Sequence, residues 1–181
     1  MSLNASDLHF LSDPAPLLAK QRIVAEVKTL LEKAGQQLLE MPHLIAFSAG
    51  KPAKVSKGEN LQGLPFLVLD VPKIGSEKAG FRNIRVLVWW GRMVSISLLL
   101  KGEEQTEWLE LAAENLALSK LNLEVCSLWQ NEKSGLVAKR ELVQSIFQKE
   151  SEIRLTFSHP IGELAHLNSN LLRFCTLLKR D

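Results

Sequence analysis

Apolar residues recur along the chain at two periods, and the switches between them divide it into elements. From Pro16 to Glu40, Leu17, Val24, Val27, Leu31, Ala34 and Leu38 fall at helical spacing, widened by Ile23 and Leu30. Lys20, Gln21, Glu26, Lys28 and Glu32 fall outside the stripe. This is the pattern of an amphipathic helix lying on a core. Asp13 ahead of Pro14 and Pro16 is a start signal, Pro42 is a stop, and Gly35 weakens or breaks the last turns. Residues 1–13, ahead of that start, read as a loosely held arm.

A strand-rich region follows. His43–Ser48 is a short strand candidate, and the Gly- and Lys-rich stretch from Gly50 to Gly63 reads as a long loop or ragged hairpin. Leu64–Val71 is a strand with Phe66, Val68 and Asp70 on one face and Leu67, Leu69 and Val71 on the other. Both faces are largely apolar, which predicts a central strand. Asn83–Trp90 and Met93–Leu100 flank Gly91-Arg92, the spacing of a hairpin with a two-residue turn. That turn sets Trp90 opposite Met93, Val88 opposite Ser95 and Val86 opposite Ser97, and places Trp89 with Val94 on the other face. A slip of one residue would exchange the faces.

The remainder alternates. Glu103–Ser119 predicts a helix with acidic first turns, Leu121–Trp129 a strand, Asn131–Gly135 a turn and Leu136–Glu150 a helix. Glu152–Ser158 predicts a strand with Ile153, Leu155 and Phe157 inward. Ser158 or His159 then caps a last helix opened by Pro160, and His166 sits on its surface. The order α-β-β-β-β-α-β-α-β-α implies an α+β fold. Its sheet would be mainly antiparallel, about five or six strands with helices packed on it, in a single domain over 1–181.

Composition adds exclusions. Hydrophobic residues make up 46% and charged residues 23%, ordinary values for a globular chain. A net charge of +2 is no nucleic-acid footprint by itself. The first residues lack the basic and apolar regions of a signal peptide, and no apolar run approaches a membrane span, so the expected location is cytoplasmic. Cys126 and Cys175 have no ligand or redox spacing and read as small buried hydrophobes.

Candidate chemistry is sparse. The four histidines lack metal-pair spacing, no nucleophile elbow or phosphate-binding loop occurs, and no cofactor or metal is indicated. Asp70 shares a strand face with Phe66 and Val68, and a buried carboxylate needs a partner, for which Arg82, Arg85 and Arg92 are at hand. Residues 51–101 hold nine basic and three acidic side chains, whereas 102–118 hold five acidic and no basic ones. The leading expectation is a non-enzymatic binding or protein-interaction module that forms a homodimer, its surface built from Trp89, Trp90, Arg92 and the loop carrying Lys57 and Asn60. The alternative is a protein for a small anionic ligand, enzyme or binder, with Lys57, Asp70, Arg82 and Arg85 in one cleft. RNA or DNA binding ranks last, because Trp89 and Trp90 point to opposite faces and no aromatic RNA motif occurs.

One segment carries a resemblance. Lys57-Gly58-Glu59-Asn60 with Gly63 and Pro65, Leu69-Asp70 with Pro72, and Trp89-Trp90-Gly91 form a pattern K-G-E-N-x-x-G-x-P, L-D-x-P, W-W-G. Residues 55–102 thereby resemble an uncharacterised bacterial family seen mostly in Bacteroidetes. The resemblance implies a cytosolic bacterial protein and brings no activity, cofactor or catalytic residue with it.

Overall fold

The structure is a computed structural model and describes residues 3–72, 80–126 and 136–180. Helices α1 (Ala5–Ser12), α2 (Ala15–Glu40) and α3 (Pro42–Ser48) lead into strands β1 (Lys54–Leu61), β2 (Leu64–Val71), β3 (Phe81–Trp89) and β4 (Met93–Lys101). α4 (Thr106–Glu114), β5 (Glu124–Cys126), β6 (Leu136–Val137), α5 (Arg140–Glu150), β7 (Glu152–Pro160) and α6 (Leu167–Cys175) complete the order. The strands form one antiparallel sheet in the order β1-β2-β3-β4-β7-β5-β6. The α+β fold is therefore as the pattern predicts, with seven strands among the described residues instead of five or six.

The core lies on one face of this sheet. Leu67, Leu69, Val71, Ile84, Val86, Val88, Val94, Ile96, Leu98 and Leu100 supply its strand side, joined by Ile153 and Leu155 of β7. Val27, Leu31, Ala34 and Leu38 of α2, Leu44 and Phe47 of α3, Trp108 and Leu109 of α4, Val143 and Phe147 of α5 and Leu171 and Phe174 of α6 cover it. Each such large side chain contributes about 1.5–3 kcal/mol relative to exposure. α2 runs unbroken through Gly35, against expectation. A Cβ at that position would stand 3.0 Å from Leu69 Cδ1 and 3.1 Å from Ala53 Cβ, so the missing side chain lets the helix settle onto β2.

The hairpin register is one residue away from the expected one. Trp89 pairs with Met93, Val88 with Val94, Val86 with Ile96 and Ile84 with Leu98. The connection is thus the three residues Trp90-Gly91-Arg92, with Gly91 at φ +66° and the Arg92 N–H donating to the Trp89 carbonyl. A left-handed glycine in a three-residue loop is a standard hairpin solution. The reason for the slip is burial: this register puts only apolar side chains on the core face, whereas the other would set Ser95 and Ser97 beside Val88 and Val86.

Other local features add to the expectations or correct them. Residues 5–12 are helical, held by a capping box in which Asn4 Oδ1 accepts the Asp7 N–H and Asp7 Oδ2 accepts the Asn4 N–H. His43–Ser48 belongs to a helix: Pro42 suits its first turn, and Leu44, Phe47 and Ser48 fall on one buried side. A six-residue apolar run does not separate helix from strand by period alone. Of the two readings of 50–63 the ragged hairpin holds: β1 pairs antiparallel with β2, with a register irregularity between Gly58 and Leu61. Leu136-Val137 joins the sheet edge beside β5, and α5 starts only at Arg140. His159 lies within the last residues of β7, buried opposite Val94, and caps nothing; a 3-10 segment, Ile161–His166, precedes α6. The expected turn at Asn131–Gly135 lies outside the described residues.

Candidate functional site

Strand alternation gives the sheet a second face, and it carries a different kind of surface. Four rows cross it. Gly58, Phe66, Trp89, Met93 and Pro160 are successive neighbours in the first, and Ser56, Val68, Leu87, Ser95 and Ser158 in the second. The third is polar throughout: Lys54, Asp70, Arg85, Ser97, Thr156 and Glu124. The fourth holds Asn83, Leu99, Arg154 and Cys126. Phe66, Val68, Leu87, Trp89, Met93 and Leu99 all lie outside the core cluster that the helices cover.

Two pairs form within the polar row. Arg85 Nε donates to Asp70 Oδ1 at 2.8 Å and its Nη2 donates to Oδ2 at 3.3 Å, a forked pair across β2 and β3. Ser97 Oγ and Thr156 Oγ1 share a hydrogen bond of 2.9 Å. Asp70 thus has the arginine partner its place among apolar neighbours demands.

The aromatic corner is built by its neighbours. A Cβ at Gly58 would overlap the Phe66 ring, so the glycine lets that ring lie across β1. Trp89 Nε1 donates to the Leu61 carbonyl at 3.1 Å, and the Arg92 guanidinium stands 5.7 Å from the Trp89 ring centroid. The result is a half-buried apolar platform with one cation at its edge, beside the Asp70–Arg85 pair.

The other expected site residues lie elsewhere. Trp90 packs against the core side. Lys57 shares the core-side face with Leu67 and lines a groove at the sheet edge. Asn60 Oδ1 accepts the Gly63 N–H at 2.9 Å and closes the β1–β2 turn. Arg82 points beneath the helices, donating to the Phe47 carbonyl, and stands 5.4 Å from the Trp108 ring centroid. Burial lowers its pKa, opposed by Glu107. Lys57, Asp70, Arg82 and Arg85 therefore line no common cleft: the period of two sends odd and even positions of each strand to opposite faces. Phe66, Val68 and Leu87 belong to the platform but carried no signal beyond alternation, which does not say which face the helices cover.

The reactive groups are muted. Both cysteines are free and buried, and burial pushes the Cys175 thiol up to about 12. Burial also holds the His43 imidazole below its usual value, with Lys179 acting in the same sense and a backbone bond at Cys175 opposing. Among the described residues no group of three His, Cys, Asp or Glu is placed to hold a metal ion, and no helix is long and apolar enough to cross a membrane. No family model, curated protein or solved structure matches the chain.

Proposed function

We propose that the protein is a non-enzymatic interaction module that binds a partner protein on its second sheet face, in the cytoplasm of a bacterial cell. One observation carries this reading: four half-buried apolar side chains, Phe66, Leu87, Trp89 and Met93, stand together on a sheet face outside the helix-covered core, with Val68 and Leu99 buried among them. Contiguous apolar surface of this kind marks association sites, and tryptophan with arginine at its edge is typical of their energetic centres. Asp70, Arg85 and Arg92 supply polar groups that orient the partner. A nucleic acid fits less well, because Arg92 occupies one face of the Trp89 ring and a stacked base would have to displace it.

The test is affinity capture from cell extract with three baits: the native chain, a Phe66→Ser/Met93→Ser variant and an Ile45→Ser control on exposed α3 surface. A protein held by the native chain and the control, and lost from the double variant at unchanged melting temperature, supports the reading. The same retained proteins on all three baits, or none on any, would sink it.

A further inference from the structure

Two features of the first forty residues are not explained by the chain's own packing. α1 buries none of its residues. It holds Leu8, Phe10 and Leu11 at 55%, 52% and 65% exposure. Leu8 and Leu11, three apart, share a face, Phe10 borders it, and Asp7 stands four residues before Leu11 on the same side. The apolar stripe of α2 also runs past the body: Val27, Leu31, Ala34 and Leu38 are buried, but Leu17, on the same stripe, is 49% exposed.

That overhanging end of α2 forms one wall of a groove of about 770 Å³, and the edge strand β1 forms the other. Leu17, Val24, Ala25, Val55 and Leu67 make it apolar. Lys20, Lys28 and Lys57 line it beside one lining carboxylate, Glu59; Lys20 engages Glu59 at 2.6 Å and Lys28 engages Glu32 of its own helix at 3.5 Å.

We propose that α1 of a second copy docks in this groove, and that two copies exchange α1 reciprocally to form a symmetric dimer. The fit is chemical on two counts. Leu8, Phe10 and Leu11 find apolar walls, and the negative α1 segment, with Asp7 on its apolar side and Asp13 at its end, meets three lysines. The link between α1 and α2 favours exchange over folding back. It consists of Asp13 and Pro14, and Asp13 is extended at φ −96°, ψ 112°. The following proline disfavours a helical Asp13, and its Oδ1 accepts the Ala15 N–H at 2.9 Å. A short hinge of this kind directs an element away from its own chain and invites swapping between copies. The dimer uses a surface apart from the open sheet face, so it does not rest on the interaction reading above.

Sedimentation of the full chain from about 1 μM to about 1 mM tests it. The expected result is a dimer for the native chain and a dissociation constant at least about 100-fold weaker for Leu8→Asp/Leu11→Asp. The monomeric variant should keep the native monomer's melting temperature, because α1 buries nothing in its own chain. Mixing a Leu11→Cys chain with an Ala25→Cys chain should then give a mixed disulfide dimer, since Cys126 and Cys175 are buried. A native chain that stays monomeric, a dimer indifferent to the α1 substitutions, or no mixed crosslink overturns the proposal. A dimer lost instead in Phe66→Ser/Met93→Ser would move self-association to the sheet face, overturning this inference and leaving the interaction reading intact.

Discussion

Replacing Arg82 by methionine tests whether this side chain is a structural staple, as its surroundings indicate. The guanidinium joins three elements. Nε donates to the Phe47 carbonyl at the end of α3, and Nη1 reaches Gln105 Oε1 at 3.4 Å ahead of α4. The cation stands 5.8 Å from the Phe47 ring centroid and 5.4 Å from that of Trp108, and those rings meet edge to face at 5.1 Å. A hydrogen bond from a charged donor contributes about 1.5–3 kcal/mol, and each cation–π contact about 0.5–1 kcal/mol. The contact to Gln105, at the limit of bonding distance, counts for little. Methionine recovers about 1 kcal/mol through apolar burial, leaving a net loss of about 1.5–4 kcal/mol. At about 2–4 °C per kcal/mol for a chain of this length, the melting temperature should fall by about 3–16 °C. Urea unfolding followed by tryptophan fluorescence, with circular dichroism for the thermal transition, measures both quantities. Arg82→Lys should lose less, because it keeps the charge and forfeits the planar fork. A methionine variant within about 0.5 kcal/mol of the native protein would refute the staple and return Arg82 to the candidate binding residues.

Further predictions concern the buried titratable groups. His43 titrates below its usual value in the folded chain, so the unfolded chain binds more protons as pH falls through about 6.5. Stability should therefore decline on acidification between that value and the depressed folded one, and His43→Phe should flatten this part of the curve; identical pH profiles for the two proteins would contradict the assignment. Cys175, its thiol raised to about 12 by burial, should resist thiol reagents in the native protein and react at once in urea. Labelling of Cys175 in native buffer within minutes, read by peptide mass spectrometry, would contradict the packing around it.

The quoted motif residues prove to have local structural work. Gly58 makes room for the Phe66 ring, and Asn60 holds a turn in which Gln62 and Gly63 both take positive φ, 52° and 82°. Asp70 answers Arg85, and Gly91 takes the left-handed position of a three-residue loop. Spacing alone marked these positions as special. It did not say whether they serve a site or a turn, because tight turns and binding loops draw on the same residue types. Charge behaved similarly. The acidic run of 102–118 meets the basic sheet only in part: Glu107 acts on Arg82 but pairs with Arg180 at 2.6 Å, and Glu114 meets Arg140 at 3.3 Å, partners that only the packing of α4 near α5 and the C-terminus supplies.

Local periodicity was enough for whatever depended on one element at a time. The long α2, the strands β2, β3, β4 and β7, and the inward set Ile153, Leu155 and Phe157 follow from spacing that either burial pattern would preserve. The α+β class follows from their order. Three matters needed the tertiary structure. The short run His43–Ser48 satisfies both periods, and contact with α2 and the core made it a helix. The hairpin register was decided by the need to keep Ser95 and Ser97 out of the core, a comparison of faces that no turn sequence contains. Which face became the core decided the rest: helices on one side leave Trp89, Phe66 and the Asp70–Arg85 pair together on the other, and separate them from Lys57 and Arg82. Alternation assigns residues to two faces equally well in either sense, and only long-range packing tells them apart.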